Sequence, residues 1–510
     1  MPRRASHLAR WLTPSLLDCL LVCLLLWQFA VGGRWAGLLA DGDTGWHIRT
    51  GEYILEHGQW PRTDLFSFSK AGGIWYAWEW LAEVVFALLN RLGGLSAVAA
   101  GAALVIVSSG VIVFRRMYLQ QANVFLSMVV LMLAMGAASI HFLARPHVFT
   151  LLLWPAALWI VERDRIKPSP WLWALAPLTA VWTNLHGGFT ALMASLVLLA
   201  LGRWAELWLA GGAGWERFKP ALRYGALLGA CGAASLVNPY GWRLHLHIAG
   251  YLRSGWIRNV VDEFQSPKFR SEHSLHFELL LFAALMAAAA IFRSRRIAEG
   301  LLIIFWAHAA LVSARHVPLF VFLVAPAVAG EASRLWRQWV RSLPANSPAA
   351  ILEEISRDMR PGFARLGLWS VAGAALVIAT SPQAHWPKDF PAQKFPVELV
   401  GRQAARLAGA RVFTSDQWAD YLIYRFYPHQ KVYMDGRSDF YGPEIGDEYL
   451  RTVQGRPGWP QVLDRWQFRF ALAPKEWPLA HLLEQQGGWR RVDGDKLAVL
   501  YERVGAPPPA

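Results

Sequence analysis

The 510-residue sequence has few charged residues and only three cysteines. Charged residues make up 17% of the chain and hydrophobic residues 55%, and the mean hydropathy is +0.27. Soluble proteins of this length carry more charge, so the composition predicts a membrane protein. Cys19, Cys23 and Cys231 all lie in apolar stretches. This placement argues against a disulfide scaffold and against a cysteine-based zinc site.

Several catalytic signatures are also missing from the sequence. The absence of a Gly-x-x-x-x-Gly-Lys-Ser/Thr loop disfavours ATP-driven transport. The absence of His-Glu-x-x-His disfavours a zinc protease, and the absence of Gly-x-Ser-x-Gly disfavours a serine hydrolase. The net charge of +14 is distributed in short basic runs between apolar segments. No nucleic-acid-binding motif accompanies these runs, so we expect no nucleic-acid partner.

Eleven apolar segments have the length and composition of membrane-crossing helices, several of them short. They lie at 15–34, 95–114, 122–141, 146–162, 170–185, 188–210, 221–237, 276–292, 298–313, 316–333 and 365–381. Segment 77–91 carries Glu79, Glu83 and Arg91, and a glutamate inside a short span is costly. We therefore interpret it as an amphipathic or re-entrant helix, since a crossing there would also move the Arg293–Arg296 cluster to the outer side.

The basic runs predict the orientation of the chain. Arg3, Arg4 and Arg10 place the N-terminus in the cytoplasm, and eleven crossings then place the short basic loops there too. We expect a bacterial inner (cytoplasmic) membrane protein whose C-terminal part is extracytoplasmic. The alternative of a cleaved N-terminal signal peptide lacks a clear small-x-small cleavage site.

The composition changes after the last apolar segment. Residues 1–384 are predicted to form an all-α polytopic bundle with a long first outer loop at 35–94, and residues 385–510 a soluble extracytoplasmic α/β domain. The predicted strands are Ala410–Thr414, Lys431–Met434, Phe468–Leu472 and Leu497–Tyr501, and the predicted helices include Gln417–Phe426 and Gly446–Gln454. Arg334–Arg365 is predicted to be a cytoplasmic linker with one amphipathic helix, and Gly505–Ala510 a disordered tail.

Most of the unusual polar residues fall on the predicted outer side. An acidic pair opens the first outer loop, and the other candidates for a site are His47, Glu79, Arg145, His147, Asn184, His186, Glu263, Arg315, His316 and Arg437. Ionisable groups at membrane depth are expensive and usually face a cavity. A crowded polar face therefore predicts an active-site vestibule.

Each group also has a purely structural interpretation. Asp43 is placed to cap the helix that follows it, although Asp41 or Asp43 could instead act in catalysis or bind a metal. Arg145 and Arg315 could anchor the protein at the lipid headgroups or bind a phosphate. The histidines could serve packing alone, Glu79 could be an interfacial group, and the segment around Arg437 could be only a turn.

The residue types favour one kind of chemistry. An acidic pair outside the first span suits a general base for an acceptor hydroxyl, or the binding of a divalent cation such as Mg²⁺ or Mn²⁺. Arginines at the outer interface suit a phosphate or pyrophosphate held at headgroup level. Together they indicate group transfer from a lipid-linked phosphate donor.

Residues 41–80, DGDTGWHIRTGEYILEHGQWPRTDLFSFSKAGGIWYAWEW, resemble the first outer loop of the GT-C superfamily of integral-membrane glycosyltransferases. More narrowly, the acidic start, Trp-His, Gly-x-x-Pro-x-x-Asp-x-Phe-Ser and Glu-Trp-Leu are similar to a group of uncharacterised bacterial polytopic membrane proteins. WTNLHGG (182–188), NPYG (238–241) and DGR (435–437) resemble later motifs of that group.

The resemblance implies a helical bundle, an outer soluble domain, polyprenyl-phosphate or polyprenyl-diphosphate sugar donors, and a catalytic acid at Asp41 or Asp43. Two signatures of the superfamily are missing: Trp-Trp-Asp-Tyr-Gly of oligosaccharyltransferases and Lys-Pro-Pro of lipid A aminoarabinose transferases. We therefore expect a GT-C-like transferase whose acceptor is a glycan, lipid or protein. The alternative is a non-catalytic transporter or assembly factor for lipid-linked glycans.

Overall fold

The computed structural model describes residues 11–211, 214–271 and 274–505. The predicted N-terminal arginines and most of the Gly505–Ala510 tail lie outside these residues. Helices make up most of the described chain. In order they are α1 Leu16–Leu25, α2 Asp43–His57, α3 Trp80–Leu119, α4 Val124–Ala138, α5 His147–Ile166, α6 Leu175–Leu185, α7 Phe189–Leu209, α8 Lys219–Ala234, α9 Trp242–Arg253, α10 Gly255–Val260, α11 Ser274–Arg293, α12 Ile297–Val312, α13 Val317–Val340, α14 Pro348–Met359, α15 Trp369–Thr380, α16 Val397–Arg402, α17 Ala404–Leu407, α18 Asp416–Phe426, α19 Ser438–Val453, α20 Trp459–Arg465 and α21 Pro478–Gln485.

The apolar helices confirm a multi-pass membrane protein. Within the described residues, five helical stretches are long and apolar enough to span a bilayer: Trp80–Leu119, Val124–His141, Phe189–Leu209, Ser274–Arg293 and Ala314–Val340. Three shorter apolar stretches are Leu16–Ala30, Ile297–Val312 and Trp369–Thr380. Each of the eleven predicted segments coincides with a helix or with part of one. The number of crossings and their orientation stay predictions.

Helix α3 is interrupted where the sequence analysis separates segment 77–91 from the span that follows. Gly93 and Gly94 leave the helical conformation, and Gly94 has a φ of +63°, which glycine adopts without a Cβ clash. The part of α3 before this break packs closely on α2. A Cβ atom at Gly51 would lie 2.0 Å from the carbonyl oxygen of Glu83, so only glycine fits there. This contact fixes the first outer loop against the bundle.

A small sheet lies in the C-terminal part of the chain, as expected. Its strands are β1 Val412–Phe413, β2 Phe470–Pro474, β3 Trp489–Gly494 and β4 Ala498–Arg503, in the order β1-β2-β4-β3. β1 and β2 are parallel, and the other neighbours are antiparallel. Three of the predicted strands correspond to β1, β2 and β4. Strand β3 was not predicted, because its partly exposed, charged residues hide the alternation of an edge strand.

The prediction of a sheet strand at Lys431–Met434 is wrong. Val432 instead exchanges backbone hydrogen bonds with the first outer loop, donating to Phe66 at 2.9 Å and accepting from Phe68 at 3.0 Å. This segment is extended and buried, so its residues have the composition of a strand, but its partner is the first outer loop. This pairing joins the first outer loop to the C-terminal part of the chain.

The predicted C-terminal helices are present as α18 and as the second half of α19, and the predicted linker contains the end of α13 and all of α14. Helix α18 packs on the start of α2. A Cβ atom at Gly42 or Gly45 would lie 2.3 Å or 2.6 Å from a backbone oxygen of α18. These two glycines allow the acidic start of the first outer loop to approach α18. The domain boundary at 384/385 stays a prediction.

Candidate active site

A cavity of about 460 Å³ opens between the helix bundle, the first outer loop and the C-terminal part of the chain. The predicted site residues that line it are Asp43, His47, Glu79, Arg145, His147, His186, Glu263, Arg315, His316 and Arg437. Two predicted residues, Asp41 and Asn184, do not belong to its wall. The structure thus brings together side chains from distant parts of the sequence, as the vestibule interpretation requires.

Arg145 lies at the centre of an acidic cluster. Its guanidinium group contacts Asp41 at 2.9 Å, Asp43 at 2.7 Å and Glu263 at 2.8 Å. Gly42 is the N-cap residue of α2, and the side chain of Asp43 makes no capping hydrogen bond. The capping interpretation of Asp43 is therefore wrong. Asp41 accepts a hydrogen bond from the backbone N–H of Asp43 at 3.0 Å and so holds the start of α2.

Arg315 forms a second cationic group in the same wall. It contacts Glu263 at 3.1 Å, donates to the hydroxyl of Tyr251 at 3.1 Å, and lies over the ring of Phe264 at 4.5 Å. Burial opposes ionisation of Glu263, but Arg145 and Arg315 outweigh it and hold its pKa well below the usual range. Arg315 faces one carboxylate where Arg145 faces three. Its positive charge is therefore the less neutralised of the two.

Glu79 lies between two histidine rings. Its carboxyl oxygens are 3.8 Å from Nε2 of His47 and 3.6 Å from Nε2 of His186, while Nδ1 of His47 is 3.3 Å from Glu83. Burial raises the pKa of Glu79 to about 8 and lowers the pKa of His186 to about 3. Near neutral pH these groups are mostly uncharged. They therefore suit hydrogen bonding to hydroxyl groups more than binding of an ion.

His186 is held in one orientation by its neighbours. Its Nδ1 atom is 2.8 Å from the hydroxyl of Thr150, which in turn accepts a hydrogen bond from Trp182 at 2.8 Å. Nδ1 also accepts from the backbone N–H of Gly188 at 3.1 Å. Because two groups fix the Nδ1 side of the ring, Nε2 is directed toward Glu79 and the cavity.

The other predicted polar residues make packing hydrogen bonds. His147 pairs with the carbonyl of His141 at 2.7 Å, and His316 with that of Ala309 at 3.2 Å. Asn184 accepts from the indole of Trp80 at 2.7 Å. Each of the two histidines uses one ring nitrogen in these bonds. Asn184 links α6 to Trp80 at the start of α3.

Arg437 connects the first outer loop to the C-terminal part of the chain. It donates to both oxygens of Asp435, at 2.8 Å and 2.6 Å, and to Asp64 at 2.8 Å. Its guanidinium group lies 4.6 Å from the centre of the Trp75 ring. With two buried carboxylates beside it, Arg437 is neutralised at the cavity wall. The segment that contains it is therefore part of the vestibule and more than a turn.

Asp420 is a site residue that the sequence analysis did not find. The carboxyl groups of Asp43 and Asp420 lie against each other, and the backbone N–H of Gly436 donates to Asp420 at 3.2 Å. A Cβ atom at Gly436 would lie 1.8 Å from Oδ1 of Asp43. One signal was present: Asp420 is flanked by the buried residues Ala419 and Tyr421 on an apolar helix. A carboxyl group in such surroundings needs a specific partner.

Burial and crowding make this pair basic. Burial raises the pKa of Asp43 to about 7, although the charge of Arg145 opposes the shift. Burial and the charge of Asp43 raise the pKa of Asp420 well above its usual value. Two adjacent buried carboxyl groups do not both ionise, because their like charges repel each other. The pair therefore holds one proton near neutral pH, and Asp43 keeps an oxygen on Arg145.

The residues do not fit a resident divalent cation in this arrangement. Asp41, Asp43 and Glu263 converge on the guanidinium group of Arg145, whereas Mg²⁺ or Mn²⁺ needs several oxygen ligands around one point. In the parts of the chain that the structure describes, no three His, Cys, Asp or Glu side chains are grouped to hold a metal ion. The metal stays a prediction from the sequence.

No protein-family model matches the sequence, and no curated protein matches it. Solved structures are similar at the level of fold. The apo form of the Archaeoglobus fulgidus oligosaccharyltransferase aligns with a TM-score of 0.56 at 10% identity, over 93% of this chain and 70% of that chain. The archaeal oligosaccharyltransferase AglB from Archaeoglobus fulgidus, in complex with an inhibitory peptide and a dolichol-phosphate, gives 0.50 at 12% identity, over 96% and 74%.

ArnT from Cupriavidus metallidurans in the apo state aligns with a TM-score of 0.47 at 14% identity, over 92% of this chain and 94% of that chain. Both kinds of protein are GT-C membrane glycosyltransferases. At such low identity, the oligosaccharyltransferase alignments establish a shared fold and leave the activity open. The chain thus shares the fold of the archaeal oligosaccharyltransferase, which is the kind of fold that the resemblance in the first outer loop implies.

Proposed function

We propose that the protein is a membrane glycosyltransferase that moves a sugar from a polyprenyl-phosphate donor to an acceptor hydroxyl on the extracytoplasmic side of the membrane. The observation that carries this proposal is the position of Asp43, a carboxyl group with a pKa of about 7 in the wall of a cavity that also contains Arg315. A general base works best when its pKa is close to the working pH. A cation nearby suits the phosphate that leaves.

The cavity has separate surfaces for the two ends of such a donor. Apolar side chains, including Leu151, Ala191, Phe305 and Leu319, line the part between the helices, where a polyprenyl chain would lie. Arg315 lies in the same wall and would bind the phosphate through charge-assisted hydrogen bonds. We assign Arg145 mainly to orienting Asp43, because three carboxylates already share its charge.

The sugar would occupy the polar part of the cavity. His47, Glu79 and His186 offer hydrogen-bond donors and acceptors without a net charge near neutral pH. Trp46 and Trp78 are aromatic side chains in the same wall, and the apolar face of a sugar ring packs well on such groups. This combination suits a neutral pyranose better than an ionised ligand.

The reaction is a single displacement. Asp43 takes the proton of the acceptor hydroxyl while its oxygen attacks the anomeric carbon. The bond between that carbon and the donor phosphate oxygen breaks, and polyprenyl phosphate leaves with the bonding electron pair, its charge balanced by Arg315. Attack from the side opposite the leaving group inverts the anomeric configuration. Asp420 would keep the shared proton and so position Asp43.

The test is an assay of purified protein with a panel of polyprenyl-phosphate sugars and simple acceptors, following release of polyprenyl phosphate. We expect release by the wild type and by Glu56→Gln, which changes an exposed carboxylate on the same helix as Asp43. Asp43→Asn should release none. If the wild type instead carries the labelled lipid between leaflets unchanged, the proposal fails and the transporter alternative replaces it.

A further inference from the structure

A second cavity, of about 600 Å³, lies at the end of the helix bundle opposite to the candidate active site. The same helices reach both cavities. His147 at the start of α5 lines the first, and Ile166 at its end lines the second. Twenty helical residues span about 30 Å, the thickness of a bilayer hydrocarbon core. The crossing predicted at 146–162 would therefore place the two cavities at opposite surfaces of the membrane, and the proposed transferase reaction uses only the first.

Basic side chains from several helices and loops converge on the second cavity. They are Arg165, Arg203, Lys219, Arg223 and Arg296, against three acidic side chains, Glu162, Asp164 and Glu299. Partners outside the wall take part as well: Arg116 pairs with Glu162 at 2.6 Å, and Glu331 pairs with Arg296 at 3.5 Å. Among the side chains of the wall itself, five are basic and three are acidic.

Two ion pairs between arginine and a carboxylate lie in the wall of this cavity. Arg165 contacts Glu299 at 2.8 Å, and Arg223 contacts Asp164 at 2.8 Å. The Nε–H of Arg223 is buried and makes no hydrogen bond within the described residues. A buried donor without a partner is costly unless a ligand or water satisfies it. Among the described residues, the ion pairs of Arg203 and Lys219 are with Glu206 and Glu216, which are three residues away in the chain, so both can turn toward a ligand.

Exposed tryptophans place the second cavity at the level of the lipid headgroups. Trp171 and Trp173 follow the lining residue Pro168 in the sequence, and Trp204 and Trp208 follow the lining residue Arg203. These indoles are 78%, 42%, 45% and 64% exposed in the protein alone. Tryptophans with this exposure are typical of the interface between hydrocarbon and water. Basic pockets between helices at that depth bind the headgroups of anionic lipids.

We propose that the second cavity binds a phosphate ester group, either the headgroup of an anionic phospholipid or free phosphate. The ligand would exchange with the local acidic partners of Arg203 and Lys219, and its oxygens would accept hydrogen bonds from Arg203, Lys219 and Arg223. The proposal does not depend on the transferase reaction, since no residue of the first cavity takes part.

The experiment uses the full-length protein in detergent, with native mass spectrometry after addition of phosphatidylglycerol or phosphatidylcholine. We expect the wild type to retain one phosphatidylglycerol in preference to phosphatidylcholine. The double variant Arg203→Gln/Lys219→Gln should weaken this binding by about thirtyfold, because each of the two basic groups near a headgroup contributes on the order of 1 kcal/mol. Both side chains are partly exposed and their described ion pairs are local, so the variant should fold.

Arg334→Gln is the matched control, because Arg334 is exposed, pairs with Glu331 in its own helix, and is not part of the cavity wall. Inorganic phosphate is the second probe, measured by thermal unfolding. Stabilisation by phosphate in the wild type but not in the double variant would identify a site for free phosphate, and binding of the lipid alone a headgroup site. Equal retention of both lipids without stabilisation by phosphate, or equal binding by wild type and double variant, would overturn the proposal.

Discussion

The carboxyl group of Asp43, in the first outer loop, lies against that of Asp420, near the C-terminus, while Arg145 holds Asp43 at 2.7 Å on its other side. Oδ1 of Asp43 and Oδ2 of Asp420 are buried and have no hydrogen-bond partner among the described residues. We infer that the pair holds one proton, because two adjacent buried carboxylates repel each other. The basicity of Asp43 is therefore set by two distant parts of the chain together.

Replacing Asp420 by alanine should shift the pH dependence of the reaction. Asp420 holds the proton of the pair while Asp43 ionises, and its side chain lowers the pKa of Asp43. Alanine cannot make this contact, so the pKa of Asp43 should rise, and the acidic limb of the kcat/KM profile should move to higher pH by about one unit. Asp464→Ala, at an exposed aspartate in α20, is the control and should leave the profile unchanged. An unshifted profile in Asp420→Ala would show that the pair does not tune the base.

Gly436→Ala should reduce activity strongly. The new Cβ atom would lie 1.8 Å from Oδ1 of Asp43, so the carboxyl group or the backbone must move. A displacement of about 1 Å at a reacting group costs about 10²-fold in rate, which an assay of polyprenyl phosphate release would detect. Gly401→Ala is the matched control, because a Cβ atom at Gly401 meets no atom within 4 Å. Similar activities in the two variants would contradict the role of Gly436.

The buried carboxyl groups should make the protein less stable as the pH rises. Burial raises the pKa of Glu79 to about 8 from 4.5, so between these values the folded state binds more protons than the unfolded state. The free energy of unfolding must then fall as pH increases through this window. We expect a lower Tm at about pH 9 than at about pH 6, with a smaller difference in Glu79→Gln but not in Glu56→Gln. A Tm that rises over this range would show that Glu79 is ionised in the folded protein.

Arg315→Gln should lower kcat/KM for a polyprenyl-phosphate sugar by about 10²-fold, because the variant loses a charged donor to the leaving phosphate. Arg315→Lys should restore part of the loss, since lysine keeps the charge but lacks the planar fork of arginine. Arg402→Gln, which breaks an exposed ion pair with Asp493, is the control. Full activity in Arg315→Gln would remove Arg315 from the donor site.

Chelation tests the divalent cation predicted from the acidic pair. Asp41, Asp43 and Glu263 all contact Arg145, so we expect activity to persist in EDTA and not to rise with added Mg²⁺ or Mn²⁺. Loss of activity in EDTA, restored by either ion, would mean that the cation displaces Arg145 during catalysis. A higher Tm in the presence of Mg²⁺ or Mn²⁺ would also indicate that the cation binds, without an activity readout.

Local sequence patterns predicted the helices and most of the ionisable side chains in the cavity wall. Apolar length fixed the helix positions, and the cost of charge at membrane depth identified residues such as Arg145 and Glu79 as neighbours of one vestibule. Even the break at Gly93 and Gly94 agrees with the separation of segment 77–91 from the following span.

What the sequence did not reveal depends on long-range pairing. Lys431–Met434 has the composition of a strand, but its partner is the first outer loop, which no local pattern could specify. Asp420 acquires its role only because α18 packs on α2 through Gly42 and Gly45. The choice of Asp43 over Asp41 likewise follows from which side chain lines the cavity, and these residues are only two positions apart.

The central claim is that Asp43 is the base of a glycosyl transfer from a lipid phosphate. A single-turnover experiment tests it most directly, with radiolabelled polyprenyl-phosphate sugar bound to wild type, Asp43→Asn and Glu56→Gln before the acceptor is added. The account predicts that all three proteins bind the donor, and that only the wild type and Glu56→Gln convert it to glycosylated acceptor and polyprenyl phosphate. Conversion by Asp43→Asn at the wild-type rate would contradict it.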